Sequence, residues 1–177
     1  AVSGRRKKVW CVLKREAEKD FGVKGAAPGQ LNYAYDVTSL PEGAVCVADT
    51  SSNRLQIFPK VQGAAPRVIG GDGPENAGGA SKELGQFECP EGVACDGTAL
   101  YVADTDNHRV QKLRLADGAH LGTVGKADCT EGGGEGQFSF PSGLCVVADA
   151  LYVCDFQNHR IVVLGTDLSC RYTFGSY

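Results

Sequence analysis

The chain has 177 residues but no methionine, not even at its first position. We therefore expect it to be a processed product or an excised piece of a longer polypeptide. No apolar run approaches the ~18 residues that a membrane-spanning helix needs, so no such helix is expected. There is no C-x-x-C pair and there are only three histidines, which argues against a zinc site, because such sites cluster cysteine and histidine ligands.

Glycine, by contrast, is abundant, with 24 glycines against 7 prolines. This composition favours many tight turns, as in an all-β protein, and an apolar content of 42% indicates a globular chain. The net charge is −3, but residues 1–24 hold eight basic and three acidic side chains, so that residues 25–177 carry −8. An acidic body repels phosphate groups, and nucleic acid is therefore a disfavoured partner.

Two stretches of the sequence repeat one another. Residues 86–109 and 137–160 align without a gap at an offset of 51, with 12 identities in 24 positions. A third copy lies upstream, where Asp49 and Arg54 match Asp104 and Arg109. Repetition at such a period is typical of proteins built from stacked structural units.

The second copy shows what one unit contains. Runs rich in strand-forming residues alternate with Asp-Gly and Asp-Asn sequences that favour turns. The pattern predicts four strands, at 92–95, 100–103, 109–115 and 120–124. Four short antiparallel strands joined by tight turns make one blade of a β-propeller.

The repeated motifs resemble those of the NHL family. The second copy has Gly-Gln-Phe at 85–87, then Pro90, then Asn-His-Arg at 107–109, and the third copy matches it with 136–138, Pro141 and 158–160. The first copy departs from the motif, with Ser-Asn-Arg at 52–54. The resemblance covers residues 28–177 and implies an all-β fold, a partial β-propeller of about three and a half NHL-type four-stranded blades.

The repeats predict how the chain is divided. The predicted blades span 28–71, 84–125 and 135–177, with Gly-rich loops at 72–83 and 126–134, and residues 1–27 form the back half of a preceding blade with a basic edge. Because a propeller ring needs ~4–8 blades, these units cannot close a ring alone. We expect an exposed sheet face at each end, covered by further blades or by another chain.

Polar residues recur at fixed places in the repeats. We interpret them as structural, each Asp fixing its turn and pairing with an Arg of the same or the next blade. The alternatives are general-base work by the aspartates and metal binding or acid–base chemistry by the histidines. No catalytic, metal-binding or cofactor-binding residue is predicted. The repeated residues are Asp49, Arg54, Asp104, Asn107, His108, Arg109, Asp155, Asn158, His159 and Arg160.

Most of the eight cysteines stand at positions that hold apolar residues in the other copies, as free cysteine often does. This pattern favours an intracellular, reducing compartment. Cys11, Cys129 and Cys170 fall outside this argument and could form disulfides. The aligned ones are Cys46, Cys89, Cys95, Cys145 and Cys154.

These observations predict a non-catalytic scaffold for protein–protein interaction, either a fragment of a longer NHL propeller or an accessory subunit of a larger assembly. Its expected partners are other protein chains or missing blades, and it needs no cofactor. The family resemblance leaves two alternatives open. One is an RNA-binding NHL propeller with a basic, aromatic face. The other is a propeller enzyme, lyase- or hydrolase-like, which would need metal-binding histidines to converge.

Overall fold

The computed structural model describes residues 23–61, 63–71 and 81–175. Residues 1–22 of the predicted half-blade, Cys11 among them, lie outside the described residues. Within the described part of the chain, no helix has the length and apolar character needed to cross a bilayer.

The chain forms three four-stranded antiparallel sheets, each with its strands in chain order. The first blade contains β1 (Ala34–Ser39), β2 (Val45–Asp49), β3 (Arg54–Phe58) and β4 (Arg67–Gly70). The second contains β5 (Pro90–Cys95), β6 (Ala99–Asp104), β7 (Arg109–Arg114) and β8 (His120–Gly125). The third contains β9 (Pro141–Val147), β10 (Ala150–Asp155), β11 (Arg160–Gly165) and β12 (Cys170–Phe174). The predicted fold class, a partial β-propeller, is confirmed.

The turns follow from the local sequence. Between β5 and β6, the Asp96 carboxylate accepts hydrogen bonds from the backbone N–H groups of Thr98 and Ala99, at 2.8 and 2.7 Å. Gly97 takes a positive φ of 96° in this turn, a conformation that glycine adopts without steric cost. The Asp-Gly sequence therefore closes the hairpin as such pairs usually do.

The core lies between the blades. Every residue of β6 is buried, because the sheet that contains it is covered on both faces by neighbouring sheets. One apolar cluster joins the first and second blades, and another joins the second and third. The first includes Cys46, Leu55, Ile57, Phe87, Leu100 and Leu113, and the second includes Tyr101, Val110, Phe138, Leu151, Val153 and Leu164.

We call the face that a blade turns towards the next blade in the chain its trailing face. The trailing faces of the first two blades are covered, and that of the third is open. Val147, Phe156, Tyr172 and Phe174 are 57%, 65%, 56% and 49% exposed. Cys154 is also exposed, although Ala103 at the same position of the second blade is buried. The third blade thus has exposed apolar side chains on a face that no described residue covers.

Candidate functional site

The repeated polar residues gather at one end of each blade, where the second strand meets the third. A single 3₁₀ turn joins the strands, at Thr105–Asn107 in the second blade. His108 ends this turn with a φ of 51°, in the left-handed region that Asn and His enter more readily than most residues. Asn53 and His159 end the equivalent turns, Thr50–Ser52 and Phe156–Asn158, with φ values of 50° and 52°.

Each aspartate pairs with the arginine of its own blade. In the second blade, Arg109 Nε donates to Asp104 Oδ2 at 2.6 Å, and both side chains are buried. The backbone N–H of Glu88 donates to Asp104 Oδ1 at 2.7 Å. The equivalent pairs, Arg54 with Asp49 and Arg160 with Asp155, are both 2.7 Å apart.

The arginine also holds the chain segment that leads into its blade. Arg109 donates from Nη1 to the Lys82 carbonyl at 2.8 Å, and from Nη2 to those of Glu83 and Gln86 at 2.9 and 3.2 Å. One side chain therefore ties a strand, a turn and a loop together through charge-assisted hydrogen bonds. The other two arginines do the same: the acceptors are Ala26, Ala27 and Gln30 for Arg54, and Gly133, Gly134 and Gln137 for Arg160.

Two glutamines complete the network, and the sequence interpretation missed them. Gln111 Nε2 donates to Asp104 Oδ2 at 2.9 Å and to the Gln86 carbonyl at 2.7 Å. Gln56 makes the same contact with Asp49 at 3.0 Å. An R-x-Q pattern at 54–56 and 109–111 was the available signal, but the third copy has Val162 at this place.

The Asp104 carboxylate is buried and surrounded by hydrogen-bond donors from its own blade. Burial raises the pKa of Asp104 above its ordinary value, whereas the Glu88 N–H and the Arg109 guanidinium oppose that rise. Asn107 Nδ2 also donates to both carboxylate oxygens, at 3.1 and 3.0 Å. Both carboxylate oxygens therefore already accept hydrogen bonds from donors within the protein, and neither is placed to accept a proton from a substrate.

The residue that ends each turn reaches the next blade. His108 Nδ1 accepts a hydrogen bond from the backbone N–H of Phe140 at 3.2 Å, and the two rings meet edge to face at 4.4 Å. In the first blade, Asn53 Oδ1 accepts from the N–H of Cys89 at 2.8 Å. The Asn-His-Arg motif thus combines a contact within the blade, made by arginine, with a contact between blades.

A threonine makes a second contact between blades. Thr50 Oγ1 donates to the Pro90 carbonyl at 2.7 Å, and Thr105 Oγ1 donates to the Pro141 carbonyl at 2.8 Å. The third blade has Phe156 at this position. Comparison of the repeats shows that phenylalanine replaces threonine there, but it does not show which hydrogen bond the threonine makes.

The three histidines do not converge. His108 contacts Phe140, His159 lies one blade further on, and His120 on β8 shares a hydrogen bond with Thr123 Oγ1 at 2.7 Å. Burial, followed by the charge of Arg109, lowers the pKa of His120. Residues 23–61, 63–71 and 81–175 contain no group of three or more His, Cys, Asp or Glu placed to hold a metal ion.

Two of the three cysteines whose pairing the sequence left open are thiols in this structure. Cys129 and Cys170 are both free. Cys129 is buried, with Sγ 3.7 Å from Arg109 Nη1, so it packs beside the network of the second blade.

The family model of the NHL repeat matches residues 87–113 and 138–164. These ranges run from the segment before the first strand to the third strand of the second and third blades. The chain contains two NHL repeats.

The NHL chain is similar to longer proteins. It is 31% identical over 138 residues to NHL repeat-containing protein 2 of Bos taurus, covering 70% of this chain and 19% of the relative. It is 38% identical over 69 residues to the Homo sapiens protein of the same name, covering 39% of this chain and 9% of the relative. The chain thus spans at most about a fifth of these relatives, whose name is not that of an enzyme.

Solved structures share the fold. Hydrazine synthase of Kuenenia stuttgartiensis matches with a TM-score of 0.60 at 16% identity, over 88% of this chain and 38% of that one. A catalytically inactive virginiamycin B lyase of Staphylococcus aureus, with quinupristin, matches with a TM-score of 0.57 at 18% identity, over 86% and 42%. At this level of identity the likeness shows a propeller fold alone.

Proposed function

We propose that this NHL chain is a non-catalytic scaffold for protein–protein interaction, as part of a longer propeller or of a larger assembly. The observation that carries the proposal is the open trailing face of the third blade. Val147, Tyr172 and Phe174 lie exposed on one side of one sheet. Contiguous apolar surface of this kind marks interaction sites in soluble proteins.

Burial of the equivalent face in the second blade supports the proposal. Ala94, Tyr101 and Ala103 of the second blade are buried, and Tyr101 packs in the apolar cluster shared with the third blade. Cys145, Tyr152 and Cys154 occupy the same positions in the third blade, and both cysteines are exposed.

The repeated charged groups support a scaffold rather than a catalyst. Asp49, Asp104 and Asp155 each accept hydrogen bonds from their arginine and from a backbone N–H of the same blade. Hydrogen bonds of this kind hold the strands of a blade in a fixed geometry. A scaffold that presents a rigid binding surface requires such a geometry.

The proposal is tested with the full chain and a variant that carries Val147→Ser and Tyr172→Ser. We expect the double variant to bind less of a hydrophobic dye and to lose the protein that co-purifies in stoichiometric amounts with the native chain. Leu121→Ser is the matched control, because Leu121 is also an exposed apolar residue but lies on the second blade. A co-purifying protein retained equally by all three chains would contradict the proposal.

A further inference from the structure

In the first two blades, a glutamine on the third strand fills a fixed place within its own blade. Gln111 Oε1 accepts a hydrogen bond from the backbone N–H of Gly85 at 2.9 Å, and its Nε2 donates to the Gln86 carbonyl at 2.7 Å. Gln56 makes the same two contacts with residues 29 and 30, at 2.8 and 2.6 Å. Both glutamines are buried. The place is therefore occupied by a side chain of the blade itself and not by the blade that follows.

The third blade lacks this glutamine. Val162 stands at the position of Gln111, and Gly136 stands at the position of Gly85, both at the repeat offset of 51. Valine carries no amide and cannot reach the glycine. Among the described residues, none accepts a hydrogen bond from the Gly136 N–H. A backbone donor that a side chain satisfies in the other two blades is thus left without that acceptor in the third.

A cavity of about 340 Å³ lies where the glutamine is missing, within the size range of small-ligand sites. Val162 and Cys170 supply apolar wall, and both belong to the apolar cluster that joins the second and third blades. The cavity therefore lies on the side of the sheet that faces the second blade and not on the trailing face. Its lining includes Gly134, Gly136, Arg160, Val162, Cys170 and Thr173.

We propose that this cavity binds a primary carboxamide, the group that ends a glutamine side chain. The carboxamide oxygen accepts from the Gly136 N–H, and its nitrogen donates to the Gln137 carbonyl, as Gln111 does with the equivalent groups of the second blade. The methylene groups of the ligand lie against Val162 and Cys170. This binding site goes beyond the scaffold function and does not depend on it.

A carboxylate of the same shape fits the cavity less well. An ionised carboxylate only accepts hydrogen bonds, so it cannot donate to the Gln137 carbonyl, and Glu135 places a like charge in the lining. The two arginines of the lining, Arg160 and Arg171, each pair already with an aspartate of the third blade at 2.7 Å. The site therefore favours glutamine over glutamate.

The test titrates propanamide, which has the carboxamide of glutamine without its backbone, into the full chain with isotope-labelled glycine. We expect a saturable shift of the Gly136 amide resonance by NMR. The Gly29 and Gly85 amides are internal controls and should not shift, because glutamines already bind them. N,N-dimethylpropanamide and propanoate should bind roughly tenfold more weakly, since each lacks the donor for the Gln137 carbonyl.

Three variants locate the site. Val162→Gln places a glutamine where the first two blades have one, and it should abolish the shift that propanamide causes. Ile161→Gln is the matched control and should leave binding unchanged, because neighbouring residues of a strand point to opposite faces of the sheet. Gln111→Val should create a second site, seen as a saturable shift of the Gly85 amide.

Two further probes distinguish the sources of the carboxamide. Tighter binding of N-acetylglutamine methylamide than of free glutamine assigns the site to a glutamine within a polypeptide, and the reverse order assigns it to the free amino acid. The absence of a saturable shift at Gly136, or equal shifts at Gly136 and Gly85 in the native chain, would overturn the inference. Equal affinity for propanamide and its dimethylated analogue, or undiminished binding by Val162→Gln, would also overturn it.

Discussion

Gly92 on β5 and Ser142 on β9 are in direct backbone contact, although they belong to different blades. A Cβ placed on Gly92 would overlap the carbonyl oxygen of Ser142. The first strands of the second and third blades therefore approach as closely as a residue without a side chain allows. Gly143 has the same position in the third blade, and there the nearest atom to a Cβ is Cys154 Sγ at 3.4 Å, an ordinary contact distance.

We expect Gly92→Ala to destabilise the chain by about 1–3 kcal/mol, since the added methyl group must push two blades apart. Gly143→Ala is the matched control and should leave the free energy of unfolding nearly unchanged. Urea denaturation of both variants measures the difference. Equal effects would mean that the close approach of the two blades is not what selects glycine at residue 92.

We expect Asp104→Ala to lower the free energy of unfolding by roughly 3–5 kcal/mol, because removal of one partner leaves Arg109 buried without its counter-charge. Asp149→Ala removes the carboxylate of a solvent-exposed pair with Arg171, 2.7 Å apart, and should have little effect, as is usual for surface pairs. Thermal and urea unfolding measure the change in stability for both variants. Native stability of the Asp104 variant together with loss of a measured activity would make Asp104 catalytic instead.

Cys89 should be a slow nucleophile. Burial, then a hydrogen bond to Asp106 and the negative charges of Asp106 and Glu88, raise its pKa to about 12. At pH 8 the thiolate, which is the reactive form, is therefore scarce. We expect Asp106→Asn to lower this pKa and to speed alkylation of Cys89 by iodoacetamide about three- to tenfold, because the rate follows the thiolate fraction.

Peptide mass spectrometry follows alkylation of each cysteine in one sample, so the exposed Cys145 serves as an internal control. Its rate should be the same in both chains. A native Cys89 that reacts as fast as Cys145 would contradict the predicted environment.

We expect no salt-dependent retention of this chain on RNA at low ionic strength, because residues 25–177 carry −8 and release few counterions from phosphate. Filter binding across a salt series measures it. Binding below about 1 µM with a steep salt slope, lost when basic residues outside Arg5–Lys8 are neutralised, would favour the RNA-binding alternative.

The sequence predicted the strands of the second blade closely, for a physical reason. The runs at 92–95 and 100–103 extend in the structure to Pro90–Cys95 and Ala99–Asp104. Turn residues such as Asp96 and Gly97 act locally, so their effect can be read from neighbouring residues. The NHL resemblance drawn from these motifs is confirmed, while the scaffold role stays a proposal.

The partners of each polar residue could not be read in the same way. Sequence left open whether Arg109 pairs within its blade or with the next, and it did not indicate that Gln111 shares Asp104. It also gave no sign that Cys89 and Phe140 have left-handed backbones. Gln111 also binds the Gln86 carbonyl, 25 residues away, and Cys89 and Phe140 contact residues 36 and 32 positions before them. Contacts between segments so far apart cannot be read from the local sequence.

The sequence by itself therefore determined the repeat, the four strands of each blade and the NHL motifs, because periodic apolar residues and turn chemistry act over short distances along the chain. Only the tertiary structure shows whether each contact lies within one blade or joins two blades. It also left Phe156 and Phe174 of the third blade exposed, while their counterparts Thr105 and Val124 are covered. The physical reason is that burial belongs to a pair of packed sheets, and the same motif is core or surface according to what packs against it.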